Sequence, residues 1–207
     1  HHLDGIAREL WRWSVVCSGG TAEARLAQAQ PWHDALLAGR LPDAAHDFGD
    51  PDAVRPLRTL LVTSPTPKEG KTTVAINLAA AMAQAGQRVL LMDTDLRRPR
   101  VHTVFNLSTE KGVTNVLAGQ TSLQQAAQPS GVDRLDVLAS GPVPPNPAEL
   151  LQSQVFSKLL ATAQSEYDRV VLDSPPLGAV TDAAILAAQV DGSVLIIRTD
   201  ATTRDAV

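Results

Sequence analysis

"LRTLLVTSPTPKEGKTTVAINLAAAMA", residues Leu57–Ala83, decides the fold. Its first seven residues form a short apolar run in which Leu60, Leu61 and Val62 are consecutive rather than alternate. That is the pattern of a strand buried on both faces. Ser64-Pro65 ends the run, since proline cannot donate to a strand ladder. A ten-residue loop rich in proline, glycine and lysine follows. Apolar residues then recur at helical spacing, predicting a helix over 72–85 closed by Gly86. The same alternation repeats downstream. Apolar runs at 88–92, 135–139, 169–172 and 193–197 read as strands, and segments at 112–117, 148–165 and 182–188 read as helices. Wholly apolar strands alternating with helices predict an α/β chain with a mostly parallel sheet and helices on both faces. Right-handed crossovers bring every strand's C-terminal end to one edge, where open α/β sheets bind ligands. Ser64, Asp93, Ser140 and Asp173 all fall at such ends.

The region before this pattern reads differently. Residues 4–17 have helical apolar spacing. Residues 18–56 are rich in Ala, Pro, Gly and Asp, suit short helices at 22–29 and 31–37, and then read as a loop or linker. The predicted organisation is therefore an N-terminal helical segment and linker over 1–56, and one domain over 57–207. The 207 residues are 44% hydrophobic but only 3% aromatic, so the core is aliphatic. A net charge of −4 gives no electrostatic case for nucleic acid. No apolar run approaches the roughly 18–20 residues that span a bilayer. His1–Leu3 lacks the basic and apolar regions of a signal peptide. One cysteine, Cys17, allows no internal disulfide and fits a reducing compartment.

"SPTPKEGKTT" (Ser64–Thr73) fits the phosphate-loop pattern G-x-x-x-x-G-K-[ST] from Gly70 onward, with Pro65 in place of the first glycine. The chemistry survives that change. Backbone N–H groups of Lys68, Glu69, Gly70, Lys71, Thr72 and Thr73 can cradle phosphate oxygens at the positive end of a helix. The Lys71 ammonium reaches the β- and γ-phosphates, and the Thr72 hydroxyl is a ligand for Mg²⁺. This makes the chain a P-loop NTPase by pattern.

"LMDTDLRRPR" (Leu91–Arg100) sets two carboxylates, Asp93 and Asp95, at a strand end, and "RVVLD" sets Asp173 at another. A lone aspartate there is ordinarily a cap or turn residue. Three of them beside a phosphate loop instead suit a metal whose retained waters are oriented by carboxylates, plus a base for an attacking hydroxyl. Arg97, Arg98 and Arg100 have several readings: balancing the carboxylates, holding the loop, receiving an acidic partner, or ordinary surface charge.

Together "VTSPTPKEGKTTVAINLA", "VLLMDTDLRRPRVH", "GVTNVLAG", "SGPVPPNPAELL" and "YDRVVLDSPP" resemble the bacterial tyrosine kinases of capsule and exopolysaccharide biosynthesis. The resemblance covers residues 57–207, and Asp-x-Asp-Leu-Arg-x-Pro is its most specific element. It implies an ATP:protein-tyrosine phosphotransferase, an (auto)kinase regulating capsule or exopolysaccharide polymerisation and export, with ATP and Mg²⁺ as cofactors. It implies that Asp93, Lys71 and Asp95 are catalytic and that Thr72, Asp95 and Asp173 serve the metal. It also implies that Lys68–Thr73 and Arg198 contact nucleotide. The implied partners are ATP/ADP, a membrane polysaccharide co-polymerase or activator fused upstream or separate, further copies of the chain in a homo-oligomer, and a cognate phosphatase. The implied place is the cytoplasm, at the inner face of the plasma membrane.

Three departures qualify the resemblance. The family's ring-docking helix, Glu-x-x-Arg-x-x-Arg, is matched only by Asp52, Arg55 and Arg58, which run directly into the first strand. "IARELWR" near the N-terminus resembles that helix better but lacks the full triplet. The family's tyrosine-rich tail has no counterpart, since the one tyrosine is Tyr167, which reads as a packing residue. The C-terminal helix and strand of the family's domain are expected to be lacking as well. Two other functions compete: a nucleotide switch of the partitioning or division-site type, and a non-catalytic nucleotide-binding assembly module. The first normally carries a signature lysine where this chain has Thr66.

Overall fold

The computed structural model describes residues 40–42 and 54–197. The helices expected over 4–17, 22–29 and 31–37, the Asp52 position and Arg198 lie outside these residues. Within the segment read as linker, β1 (Arg40–Pro42) pairs antiparallel with β2 (Val54–Pro56), Arg40 facing Pro56 and Pro42 facing Val54.

Six strands form the main sheet. In chain order the elements are β3 (Thr59–Thr63), α1 (Lys71–Gln84), β4 (Val89–Asp93), α2 (Val101–Phe105), α3 (Val113–Leu117), α4 (Leu123–Ala126), β5 (Gln128–Pro129), β6 (Leu135–Leu138), α5 (Pro147–Gln152), α6 (Gln154–Glu166), β7 (Arg169–Asp173), α7 (Asp182–Ala187) and β8 (Gly192–Leu195). The spatial order is β5-β6-β4-β7-β3-β8. Pairing is parallel throughout except at β5, which runs antiparallel to β6. Pro129 sits in that short edge strand, where a missing N–H is tolerated.

The wholly apolar strands are explained by two cores, one on each face. Strand residues alternate between them, because successive side chains point to opposite sides. Leu60, Val62, Val89, Leu91, Leu135, Val137 and Val171 face α1, whose Val74, Ala75, Leu78, Ala79, Met82 and Ala83 complete that core. Leu61, Leu90, Met92, Leu138, Val170 and Leu172 face the other way, onto Val113 and Leu117 of α3, Leu151 of α5, Phe156 and Leu160 of α6, and Leu186 of α7. The alanines of α1 let the helix lie close to the sheet, which suits a chain with few aromatics.

The single helix expected over 148–165 is two. Ser153 breaks it in an extended conformation (φ −71°, ψ 153°), accepting from the Phe156 N–H as the N-cap of α6 and donating to the Leu150 carbonyl at 2.7 Å. A serine that serves both helix ends competes well with an unbroken ladder. Helices α2 and α4 and strand β5 are too short for periodicity to reveal. The Pro-rich stretch before α5 is a turn leading into a helix with Asn146 at the N-cap and Pro147 in the first turn.

Candidate active site

Strands β4, β7 and β3 are neighbours, and their C-terminal ends carry Asp93, Asp173 and Ser64, while Ser140 follows β6 on the far side of β4. Asp93 lies opposite Asp173, and Val62 of β3 lies opposite Asp173 on the other side. The first strand therefore delivers Ser64–Thr73 beside two carboxylates held level with each other.

The loop is shaped from within. Ser64 donates its hydroxyl to the Thr66 carbonyl at 2.7 Å. Glu69 is 1% exposed, and its carboxylate accepts from the Thr66 N–H at 3.2 Å and the Thr66 hydroxyl at 2.8 Å. Its side chain is thus turned into the loop, which leaves only its backbone amide as a group for phosphate. Lys68 (φ 67°) and Gly70 (φ 92°) adopt left-handed backbone, and for a lysine this costs about 1 kcal/mol or more. The start of the loop is pinned by the segment that comes after Asp173: Leu177 N–H donates to the Ser64 carbonyl at 2.8 Å, and Gly178 N–H to the Pro65 carbonyl at 3.0 Å. No side chain caps α1 and no acidic residue occupies its first turn, so its positive end is left for an anion.

Thr72 donates its hydroxyl to Asp173 Oδ2 at 2.6 Å. Asp93 Oδ2 accepts from the N–H groups of Arg100 and Val101, both at 3.1 Å. Asp93 Oδ1 and Asp173 Oδ1 are buried with no hydrogen-bond partner. Burial, then the neighbouring Asp173 charge, pushes the Asp93 carboxyl up to about 8. Burial raises Asp173 to about 7 against the pull of Thr72 and Lys71. Two bare carboxylate oxygens on adjacent strand ends are costly unless a cation is to meet them. Asp173 Oδ1, with the Thr72 hydroxyl alongside, suits Mg²⁺, which prefers oxygen ligands and keeps much of its water, and Asp93 Oδ1 beside it is open to a proton. Among the described residues no group of three or more His, Cys, Asp or Glu side chains could hold a metal by itself. Phosphate and water oxygens would complete the shell.

The remaining candidates divide. Asp95 is only half-buried, and its Oδ1 accepts from the Arg98 N–H at 3.0 Å. Ser140 is at its strand end and buried, but its hydroxyl donates to the Gly141 carbonyl. Of the three arginines, Arg97 holds the loop, through a two-pronged pair from Nε (2.8 Å) and an η-nitrogen (3.0 Å) to the buried Asp182. The Arg98 and Arg100 side chains are exposed. Tyr167 is a packing residue, donating to Asp136 Oδ2 at 3.0 Å with Arg88 over its ring.

Sequence reasoning missed three participants. Thr94, the middle residue of Asp-x-Asp, donates both N–H (2.9 Å) and hydroxyl (2.6 Å) to the Asp173 carbonyl, locking the two strand ends level. Gly178 is pressed so close to the loop that a Cβ there would lie 2.7 Å from the Pro65 carbonyl. Asp182 receives Arg97. Their partners are remote in the chain, and no spacing signals them.

A phosphate-loop lysine and threonine beside paired strand-end carboxylates, on a parallel sheet, define a P-loop NTPase. Residues 68–203 match the family described as an AAA domain. The chain belongs to the bacterial tyrosine-protein kinases of that family. It is 49% identical to the tyrosine-protein kinase YwqD of Bacillus subtilis (strain 168) over 73% of this chain and 64% of that protein. It is 42% identical to the tyrosine-protein kinase etk of Escherichia coli (strain K12) over 71% of this chain and 22% of that protein. The solved kinase domain of the E. coli enzyme superposes with a TM-score of 0.70, covering 72% of this chain and 58% of that one. The VpsO kinase domain, 34% identical, superposes with a TM-score of 0.74, covering 100% of this chain and 88% of that one. The chain thus spans less than two thirds of the length of these two curated relatives.

Proposed function

We propose that this chain carries the catalytic domain of an ATP-dependent protein tyrosine (auto)kinase regulating capsule or exopolysaccharide polymerisation and export. The observation that carries the kinase reading is the pair of bare, buried oxygens, Asp93 Oδ1 and Asp173 Oδ1, on adjacent strand ends beside the phosphate loop. The names of the relatives support the reaction, and the motif resemblance supports the polysaccharide setting.

Backbone amides from Lys68 to Thr73 and the Lys71 ammonium bind and orient the triphosphate of ATP; the motif resemblance alone assigns Arg198 to the nucleotide. Thr72, Asp95 and Asp173 hold Mg²⁺ and its waters; when bound, the ion neutralises charge on the phosphate oxygens. Asp93 accepts the proton of the tyrosine hydroxyl at Oδ1, because its other oxygen is committed to Arg100 and Val101 N–H. The acceptor is not Tyr167, whose ring is buried and whose hydroxyl is engaged by Asp136. It lies on another chain or on a part of the protein outside these residues. The partners are a membrane polysaccharide co-polymerase or activator, further copies of this chain, and a phosphatase. The setting is the cytoplasmic face of the plasma membrane; among the described residues no helix is long and apolar enough to cross it.

A nucleotide switch of the partitioning or division-site type is the runner-up. The occupant of the signature-lysine position argues against it: Thr66 brings no cation, and its N–H and hydroxyl are both spent on Glu69. The deciding experiment is incubation with labelled ATP, Mg²⁺ and a Glu-Tyr copolymer, followed by phosphoamino-acid analysis. Phosphotyrosine is expected from the parent and not from Lys71→Met or Asp93→Asn. Phosphate release without phosphotyrosine would overturn the kinase reading.

A further inference from the structure

The geometry points to Arg97 as a positioning residue: its pairing with Asp182 straps the carboxylate loop of β4 to the segment that also anchors the phosphate loop. This rests on the active site read above and adds a coupling within it.

Residues 94–101 bear on both candidate carboxylates. Their backbone donates from Arg98 to Asp95, and from Arg100 and Val101 to Asp93. Arg97 sits in the middle of this run and reaches across to Asp182 at the start of α7. Residues 174–182 meanwhile hold the other side of the site. Ser174 donates its hydroxyl to the Val62 carbonyl at 3.0 Å, and Leu177 and Gly178 hold Ser64 and Pro65. One segment therefore fixes the phosphate loop by backbone bonds and the Asp-x-Asp loop by one ion pair. The pair is asymmetric: Arg97 is 41% exposed and Asp182 is 0% exposed. A buried carboxylate without its partner is far costlier than an exposed guanidinium without its own. Asp182 therefore holds Arg97, and with it the amides that aim Asp93 and Asp95. The two-pronged geometry fixes direction as well as distance, which a lysine would not reproduce.

The test compares the full chain with Arg97→Ala, Arg97→Lys and Asp182→Asn. Hydrogen exchange is read first, without nucleotide. The amides of Arg98, Arg100 and Val101 are expected to exchange at least tenfold faster in Arg97→Ala and Asp182→Asn, with β3, β4 and β7 still protected. In turnover, kcat is expected to fall at least tenfold while KM for ATP moves less than threefold, and Arg97→Lys should fall between. Unchanged exchange at those three amides, with kcat within twofold of the parent, would overturn the proposal. So would loss of protection throughout the sheet, since Arg97 and Asp182 would then be supporting the fold and not the site. If the parent releases phosphate but makes no phosphotyrosine, the kinase reading fails and the strap is scored on exchange and phosphate release. If it does neither, exchange alone decides.

Discussion

The two edges of the sheet handle aspartates in opposite ways. At the N-terminal edge, Asp191 Oδ2 accepts from the Arg58 N–H, the Thr59 N–H and the Thr59 hydroxyl, at 2.8–2.9 Å. There too, Asp168 accepts from the Arg88 N–H at 2.7 Å and Asp136 accepts from Tyr167. Each of these carboxylates joins one element to the start of another. At the C-terminal edge, Asp93 and Asp173 lie side by side, each with one buried oxygen unpartnered and each with a strongly raised pKa. One edge uses its charges to close the fold. The other tolerates unfavourably buried carboxylates that a cation would relieve. Where carboxylates are left uncompensated is thus a better guide to function than where they are numerous.

The largest effect that could break this contrast is kinetic. Lys71→Met and Asp93→Asn are each expected to lower phosphotransfer by about 10²–10⁴-fold. Initial-rate measurements on folded protein check this, and a variant retaining a tenth of parent activity would place the chemistry elsewhere. Next comes the pH dependence of stability without metal. Asp93 and Asp173 have folded pKa values of about 8 and about 7 against an ordinary 3.8, so the folded state keeps protons that the unfolded chain releases. Their contribution is complete below about pH 4 and is lost as pH rises through about 8, a decline on the order of a few kcal/mol. Thermal melts across that window should show it, and Asp93→Asn should flatten it and raise the melting temperature at pH 8. Saturating Mg²⁺ should narrow the same gap in the parent.

At the opposite edge the signs reverse. Asp191→Ala removes an acceptor shared by three donors and is expected to cost about 2 kcal/mol in a denaturant melt. The kcat per folded molecule should stay unchanged, and a fall in kcat would blur the division between the edges. The smallest effect belongs to Tyr167→Phe, which deletes one partly buried hydrogen bond worth about 1 kcal/mol. Phosphotransfer to an added acceptor should be unaffected, and mass spectrometry of the parent should find Tyr167 unmodified.

Strand and helix identities could be read along the chain wherever an element was long enough to show its pattern, as α1 and the five strands read from apolar runs were. The break at Ser153 was hidden because each flanking helix has the same apolar spacing as one continuous helix. The placement of β7 between β3 and β4 was hidden because strand order depends on which faces pack, not on chain order. The phosphate loop and all three aspartates were legible because phosphate and metal chemistry constrain residue type and spacing locally. Thr94 and Asp182 were not. Thr94 acts on a carbonyl 79 residues away, and Arg97 meets Asp182 across 85 residues, separations at which the sequence alone holds no geometric information.

The amino-acid order by itself determined an aliphatic, mostly parallel α/β domain with a phosphate loop and strand-end carboxylates, because backbone periodicity and phosphate recognition are local demands. Only the tertiary structure decided that Asp93 and Asp173 stand level with bare oxygens, that Glu69 turns inward, and that Arg97 serves as a strap. Each of those outcomes depends on burial and on contacts between distant segments, and desolvation acts on a charge only once the chain has closed around it.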